Sequence, residues 1–516
     1  MKRSMLAALA VAIAVLVAAV GTANAAPADV QADVPTGALL ESASPSAFSA
    51  PRSVPADPAR KGSKGPKNFL TGFGDFNYTS GSASTREALF DDTVSAGGKV
   101  VRLYASWRKI APASNGGGFQ ATDPSSPGYN WDTLDSAVRE ADAHGLRVLL
   151  LVNEAPSWAQ GPNRPKGVRP GTWKPNPGDV GDFGTAIARR YSGNFGNLPQ
   201  VKDFILWNEP TIPYWLNPQW EGPDNKTPAS PDIYRKMLNA FYKAVHNVSN
   251  KNNVITAGTP PYGMDPGKYS VRPLWFWREV LCVKDDKKLS ATSCPTKAKF
   301  DVLAHHPINT SGPPTQGAVN PDDISTPDLH RLVDVLRAAE RNGTVGTKGK
   351  HPVWATELWW ESNPPDKSSR AVSLRTQAAY YSQALYLLWK QGASMTLIYQ
   401  VRDDPPDNGC PGFGNGCPYE TGVYFVNGDP KPSKRVLEFP FVGDRKSKKK
   451  VTLWGIAPAS GKLTVTQKGK GSKKVASFKV KRGKVFNKTV GMKKSGGEHS
   501  LTAKVNGSKS LSYKVK

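Results

Sequence analysis

Eight apolar runs rich in branched residues, 69–77, 99–106, 147–153, 202–207, 253–258, 300–305, 352–357 and 394–400, punctuate the chain. Longer stretches with helical spacing separate them, at 131–144, 180–191, 233–249, 273–281, 328–341 and 374–391. A strand that is apolar on nearly every residue is buried on both faces, as in a parallel sheet covered by helices. Eight strand-then-helix units in series therefore predict an α/β fold, a (β/α)8 TIM barrel spanning 68–444.

The ends of the chain read differently. Lys2 and Arg3 precede an apolar run over 5–20 that closes with Ala23-Asn24-Ala25, the pattern of a secretory signal peptide covering 1–25. That run falls short of the roughly 20 residues a membrane span requires, and no later stretch reaches it. The expectation is a secreted, extracellular protein with no membrane span after cleavage. Residues 26–67, rich in Ala, Pro and Ser without periodicity, read as a flexible leader. Two close cysteine pairs, Cys282 with Cys294 and Cys410 with Cys417, fit loop-stapling disulfides in an oxidising compartment. No His stands at ligand spacing beside them, so no metal and no cofactor is expected.

The charge is concentrated at one end. The net charge is +26, and residues 445–516 hold 21 of the basic residues against one acid, Glu498. The rest of the chain is only mildly basic, with 47 Lys and Arg against 41 Asp and Glu. Alternating runs such as Val451-Thr452-Leu453-Trp454 and Ala476-Ser477-Phe478-Lys479-Val480, separated by Gly-Lys turns, predict a small β-sandwich over 445–516. Such a surface attracts polyanions. For an exported protein an anionic cell-wall polymer is the expected partner rather than nucleic acid, with a merely solvated face as the alternative. Trp454 is the only tryptophan of this stretch, which gives no aromatic platform for a neutral glycan.

In a parallel barrel the active site forms at the C-terminal ends of the strands, so polar residues that terminate apolar runs carry the information. Two runs end in glutamate: Phe204-Ile205-Leu206-Trp207-Asn208-Glu209-Pro210 and Val353-Trp354-Ala355-Thr356-Glu357-Leu358-Trp359-Trp360. The 147 residues between Glu209 and Glu357 accommodate the intervening barrel units. Glycosidic cleavage needs one protonated and one ionised carboxyl group, about 5 to 5.5 Å apart for retention or roughly 6.5 to 9.5 Å for inversion.

An apolar fourth strand closing in Asn-Glu-Pro, with a second glutamate at the end of the seventh, resembles clan A glycoside hydrolases. Residues 421–432 are similar to the turn after the last strand in family 5 and family 39 type members, and the likeness covers 68–441. The resemblance implies a retaining hydrolase of a poly- or oligosaccharide, with Glu209 as general acid/base and Glu357 as nucleophile. It also implies that Arg102 lies beneath the nucleophile, with membership of an unrelated buried ion pair as the alternative, and that Asn208 binds the 2-hydroxyl of the reacting sugar. Clan members often carry a His or Tyr near the nucleophile. His305 and His306 end the sixth strand; His306 is favoured, which of the two faces the mouth stays open, and a structural role is the alternative. Tryptophans near strand ends suit sugar stacking, and Trp158, Trp359 and Trp360 are the expected contacts, whereas Trp275 and Trp277 read as packing. The segments 282–294 and 404–419 match no family pattern and are candidates for shaping the subsites. The competing readings are a catalytically silent glycan-binding barrel and a metal-assisted hydrolase.

Overall fold

The computed structural model describes residues 65–365, 370–405, 419–469, 471–492 and 499–515. The predicted leader segments and the Cys410, Cys417 pair lie outside the described residues, apart from the last three positions of the 26–67 segment.

All eight predicted strands form, as β1 (Leu70–Gly74), β2 (Val100–Ser106), β3 (Arg147–Asn153), β4 (Asp203–Leu206), β5 (Asn253–Ile255), β6 (Leu303–His305), β7 (Val353–Ala355) and β8 (Ala393–Tyr399). Each pairs in parallel with its sequence neighbour, and β8 pairs with β1. A parallel bridge between Ile255 and Val302 joins the β5 and β6 sides, so the sheet closes into a barrel.

The alternation of side chains across a strand sorts the core into two layers. Val100 and Tyr104 of β2, Leu149 and Leu151 of β3, Ile205, Ile255, Ala304, Trp354 and Leu397 fill the barrel interior. The residues between them, such as Val101, Leu103, Leu150, Phe204 and Leu206, pack outward against the helices.

A helix follows every strand: α1 (Ala83–Ser95), α2 (Asp132–Ala143), α3 (Pro177–Arg190), α4 (Ser230–Val248), α5 (Pro273–Leu281), α6 (Leu329–Asn342), α7 (Leu374–Lys390) and α8 (Pro432–Glu438). Local chemistry starts several of them. Ser82 accepts a hydrogen bond from the Thr85 N–H at the start of α1, and Asn176 caps α3 with Pro177 in its first turn. The sequence pattern did not show α1 or α8. The buried face of α1 includes Arg86 and Thr93 beside Leu89 and Phe90, so its apolar stripe is interrupted. Arg86 is tolerated there because it bonds Gly81 O, Ser136 and Glu140. No helix among the described residues is long and apolar enough to cross a membrane.

Cys282 and Cys294 form a disulfide. Cys282 caps the C-terminus of α5, and helices of a parallel barrel run back from the mouth, so this loop sits at the face opposite the strand ends. The expectation that 282–294 shapes a subsite is therefore corrected.

Beyond α8 the chain forms two antiparallel sheets. One contains β9 (Phe441–Ser447), β10 (Lys450–Ile456) and β13 (Val485–Gly491). The other contains β11 (Gly461–Gly469), β12 (Gly471–Val480), β14 (His499–Val505), β15 (Ser508–Lys509) and β16 (Tyr513–Val515). Phe441, Leu453 and Phe486 from the first meet Leu463, Val465, Leu501 and Val515 from the second in one core. Asp444 lies inside β9, so the sandwich begins with Phe441, ahead of position 445. Trp454 is fully buried, packed against Tyr386 and Trp389 of α7 and against Phe69. Tyr386 donates to Asp444 Oδ2 at 2.6 Å across the same junction.

Candidate active site

Backbone hydrogen bonds continue past the strand ends and fix the residues that follow. Trp207 N–H donates to Val152 O at 2.7 Å, Glu209 N–H to Gly258 O at 3.0 Å, His306 N–H to Thr259 O at 3.0 Å and Thr356 N–H to His305 O at 2.9 Å. Trp207 and Glu209 hold positive φ values of 71° and 36°, a conformation that L residues rarely adopt and that clusters at functional sites.

These bonds bring Glu209, His306 and Glu357 together at the barrel mouth. A carboxylate oxygen of each glutamate and a ring nitrogen of His306 all lie within 4.8 Å of one another. His306 Nδ1 is 2.9 Å from Glu209 Oε1 and 3.6 Å from Glu357 Oε2. Among the described residues the pocket around the two glutamates is walled by Phe76, Tyr104, Asn208, Trp215, Trp359, Tyr399 and Tyr419.

The two carboxyl groups have different surroundings. Arg102 follows Val100 on the inward face of β2 and reaches Glu357: Nη2 donates to Oε1 at 2.6 Å and to the Tyr104 hydroxyl at 3.0 Å, while Nη1 donates to Thr356 O at 3.2 Å. Burial opposes the charge on Arg102, yet Tyr104 and Glu357 together push its pKa up, so it stays a cation. Gly74 leaves room for it, since a Cβ there would meet the guanidinium at 3.0 Å. Among the described residues no guanidinium is bonded to Glu209, whose partner is the His306 ring. Burial pushes its carboxyl above the ordinary range, against the hydrogen bond and charge of His306, and the nearby Glu357 adds to the rise.

The two histidines separate cleanly. His305 turns away from the mouth: its Nδ1 lies 2.9 Å from Thr259 Oγ1 and its Nε2 2.8 Å from Ile324 O. Burial lowers its pKa to about 3, so the ring is neutral. Gly258 packs directly on the other imidazole, and a Cβ there would stand 2.0 Å from His306 Nε2.

Of the expected aromatic contacts, Trp359 lines the pocket and two do not. Trp158 donates from Nε1 to Pro112 O at 2.9 Å and packs edge-on against Trp107 and Phe119, held in an aromatic cluster under a surface loop. Trp360 is fully buried among Tyr380 and Tyr381 and donates to Gly312 O. Trp277 is buried and donates to Thr259 Oγ1, in keeping with packing.

Sequence reasoning passed over Tyr104 and Glu154, and Trp215 was only one of the tryptophans near strand ends, not singled out among them. Tyr104 follows Arg102 by two on β2, a spacing that puts both on one face. Trp215 is brought in by a hydrogen bond from Trp207 Nε1 to Trp215 O at 2.7 Å, which nothing local announces. Glu154 is a third glutamate after an apolar run, directly following β3. It pairs with Arg169 and accepts from Ser106 Oγ at 2.8 Å. Burial would raise its pKa, but Arg169, Ser106 and Arg108 outweigh that and hold it below the usual range, so it is an ionised structural partner.

Glu209, His306 and Glu357 also form a donor set of the kind that binds a metal ion. The fit is poor, because Arg102 already occupies Glu357 Oε1 and its buried charge repels a cation at the same place.

No family model and no curated protein matches the chain. Solved structures do resemble it. A family 39 glycoside hydrolase from the gut symbiont Bacteroides cellulosilyticus WH2 is 15% identical over 83% of this chain and 81% of that one, with a TM-score of 0.49. A glucosidase from Croceicoccus marinus is 12% identical over 84% and 97%, with a TM-score of 0.47. The catalytic domain of GH30 xylanase C from Talaromyces cellulolyticus is 11% identical over 83% and 98%, with a TM-score of 0.42. At such identities and scores the likeness decides neither reaction nor substrate, which rest on the side chains described above.

Proposed function

We propose that this protein is a retaining glycoside hydrolase that cleaves a poly- or oligosaccharide by double displacement. The observation that carries this reading is the pair of carboxyl groups whose oxygens approach within 4.8 Å, one bonded to Arg102 and the other raised in pKa by burial. That proximity suits direct attack rather than a water held between the groups. Glu357, its Oε1 bonded to Arg102, attacks the anomeric carbon, while protonated Glu209 donates its proton to the departing oxygen. Glu209, now a carboxylate, then takes a proton from the water that releases the covalent intermediate. His306, bonded to Glu209 Oε1, orients that carboxyl group through both steps. Asn208, whose buried Oδ1 has no partner within the protein, is placed in the pocket wall to meet the 2-hydroxyl of the reacting sugar.

The test is hydrolysis of aryl glycosides and polysaccharides by wild type and Glu357→Gln, with product configuration read by proton NMR. Retained configuration in wild type and loss of turnover in the variant support the proposal; inverted product refutes it. Glycan binding without turnover in wild type favours the silent barrel, and loss of activity on chelation favours the metal-assisted route.

The reading extends to location and anchorage: an exported enzyme held on an anionic cell-wall polymer by its basic sandwich. Lys473, Lys474 and Lys479 on β12 and Lys488 on β13 are all exposed. Truncation at 445 is a poor test of this, because it would cut β9 and uncover the surface of α7 that Trp454 covers. Replacing those four lysines with glutamine should weaken retention on anionic wall material at low salt without changing turnover of a small substrate.

A further inference from the structure

The glutamate pocket continues into a larger groove over the ends of β2 and β3, with Phe76, Tyr104 and Trp215 shared between the two. The described lining of this extension carries three cations, Arg108, Lys109 and Arg169, and one carboxylate, Glu154. Glu154 and Arg169 neutralise each other, and Arg169 is further held over the Tyr214 ring at 4.1 Å. Arg108 is exposed and makes no salt bridge among the described residues; its backbone N–H is fixed on Glu154 O at 2.8 Å. Arg108 thus adds a positive charge to the groove beyond the Glu154 and Arg169 pair. Beside these cations, Asn153 is buried at 2% exposure and its Oδ1 has no partner within the protein, although it lines the groove. A buried polar atom left without a partner costs free energy, which a ligand hydroxyl would recover.

We infer that the groove is a subsite for an acidic sugar, a uronate unit of the glycan whose carboxylate meets Arg108 and whose hydroxyl donates to Asn153 Oδ1. The inference rests on the reading of Glu209 and Glu357 as glycan-cleaving residues and names the substrate class for that site. The Glu154 and Arg169 pair lines the subsite beside Arg108, whose backbone N–H it anchors through Glu154 O. A neutral glycan would leave the excess charge unmatched.

The test is calorimetric binding to full-length Glu357→Gln protein. The probes are oligogalacturonate, glucuronate-bearing xylan fragments and hyaluronan fragments, each beside its carboxyl-reduced form. At least one acidic probe should bind about tenfold or more tightly than its reduced counterpart, the scale of a hydrogen bond to a charged group. The preference should shrink at high salt and collapse in Glu357→Gln, Arg108→Gln, yet persist when Lys473, Lys474, Lys479 and Lys488 are replaced instead. Equal binding of acidic and reduced forms, binding of no acidic probe, or a preference indifferent to Arg108 overturns the inference. Wild type that binds an acidic probe in this manner but cleaves none refutes the hydrolase reading and leaves the acidic subsite standing.

Discussion

Arg102 Nη2 stands 2.6 Å from Glu357 Oε1, joining the second strand of the barrel to the end of the seventh. The guanidinium is 1% exposed at the side chain and the carboxylate 10%, so the pair is screened little by water. Removing one partner of such a pair leaves an uncompensated buried charge.

Arg102→Met should accordingly cost about 3–5 kcal/mol of stability, the range for breaking a buried pair. It should also depress kcat, since Glu357 loses the guanidinium that holds its Oε1 in place. Urea midpoints and steady-state kinetics check both effects, and a variant of wild-type stability and turnover would show that the contact has neither role.

The raised pKa of Glu209 fixes the alkaline side of the pH profile. The first step needs the protonated acid, so kcat/KM should fall as pH rises through that pKa. In Glu209→Gln the alkaline limb should vanish for aryl glycosides with good leaving groups. Substrates with poor leaving groups should lose about 10²- to 10⁴-fold in rate, the usual worth of general acid catalysis.

Asp75, immediately after β1, gives a stability prediction. It is completely buried, and burial raises its pKa from 3.8 to about 7, against hydrogen bonds from the Asn77 and Val401 N–H groups. Between those values the folded protein holds a proton that the unfolded chain releases. Its stabilising contribution is therefore complete below pH 3.8 and is lost as pH rises through about 7. Urea midpoints compared at pH 5 and pH 8 should show wild type losing stability relative to Asp75→Asn, and parallel curves would refute the assignment.

Gly258 gives a steric test of His306. The alanine Cβ would lie 2.0 Å from His306 Nε2 and 2.8 Å from Thr356 Oγ1, so the imidazole must move off Glu209. Gly258→Ala should lower kcat in the same direction as His306→Ala, and the double variant should add little. Independent, additive losses would mean that the glycine acts elsewhere.

The sequence by itself determined the barrel, because burial on both faces imposes continuous apolar strands and the eightfold repeat admits few other folds. It determined Glu209 and Glu357 as candidates for the mouth because they follow strands, and offered Arg102 through the resemblance to clan A glycoside hydrolases. Alternation holds only while the strand lasts. Past Leu206 the backbone turns through positive φ at Trp207 and Glu209, and past Ala355 the chain leaves the pleat before Glu357. There the tertiary structure alone decided that Trp359 enters the pocket while Trp360 is buried, and that Trp158 belongs to a cluster under a loop. It alone decided that Glu154 is tied to Arg169 and that Trp454 seals the junction with α7. These outcomes depend on contacts between distant segments and on how the chain leaves each strand, and no local pattern of residues encodes either.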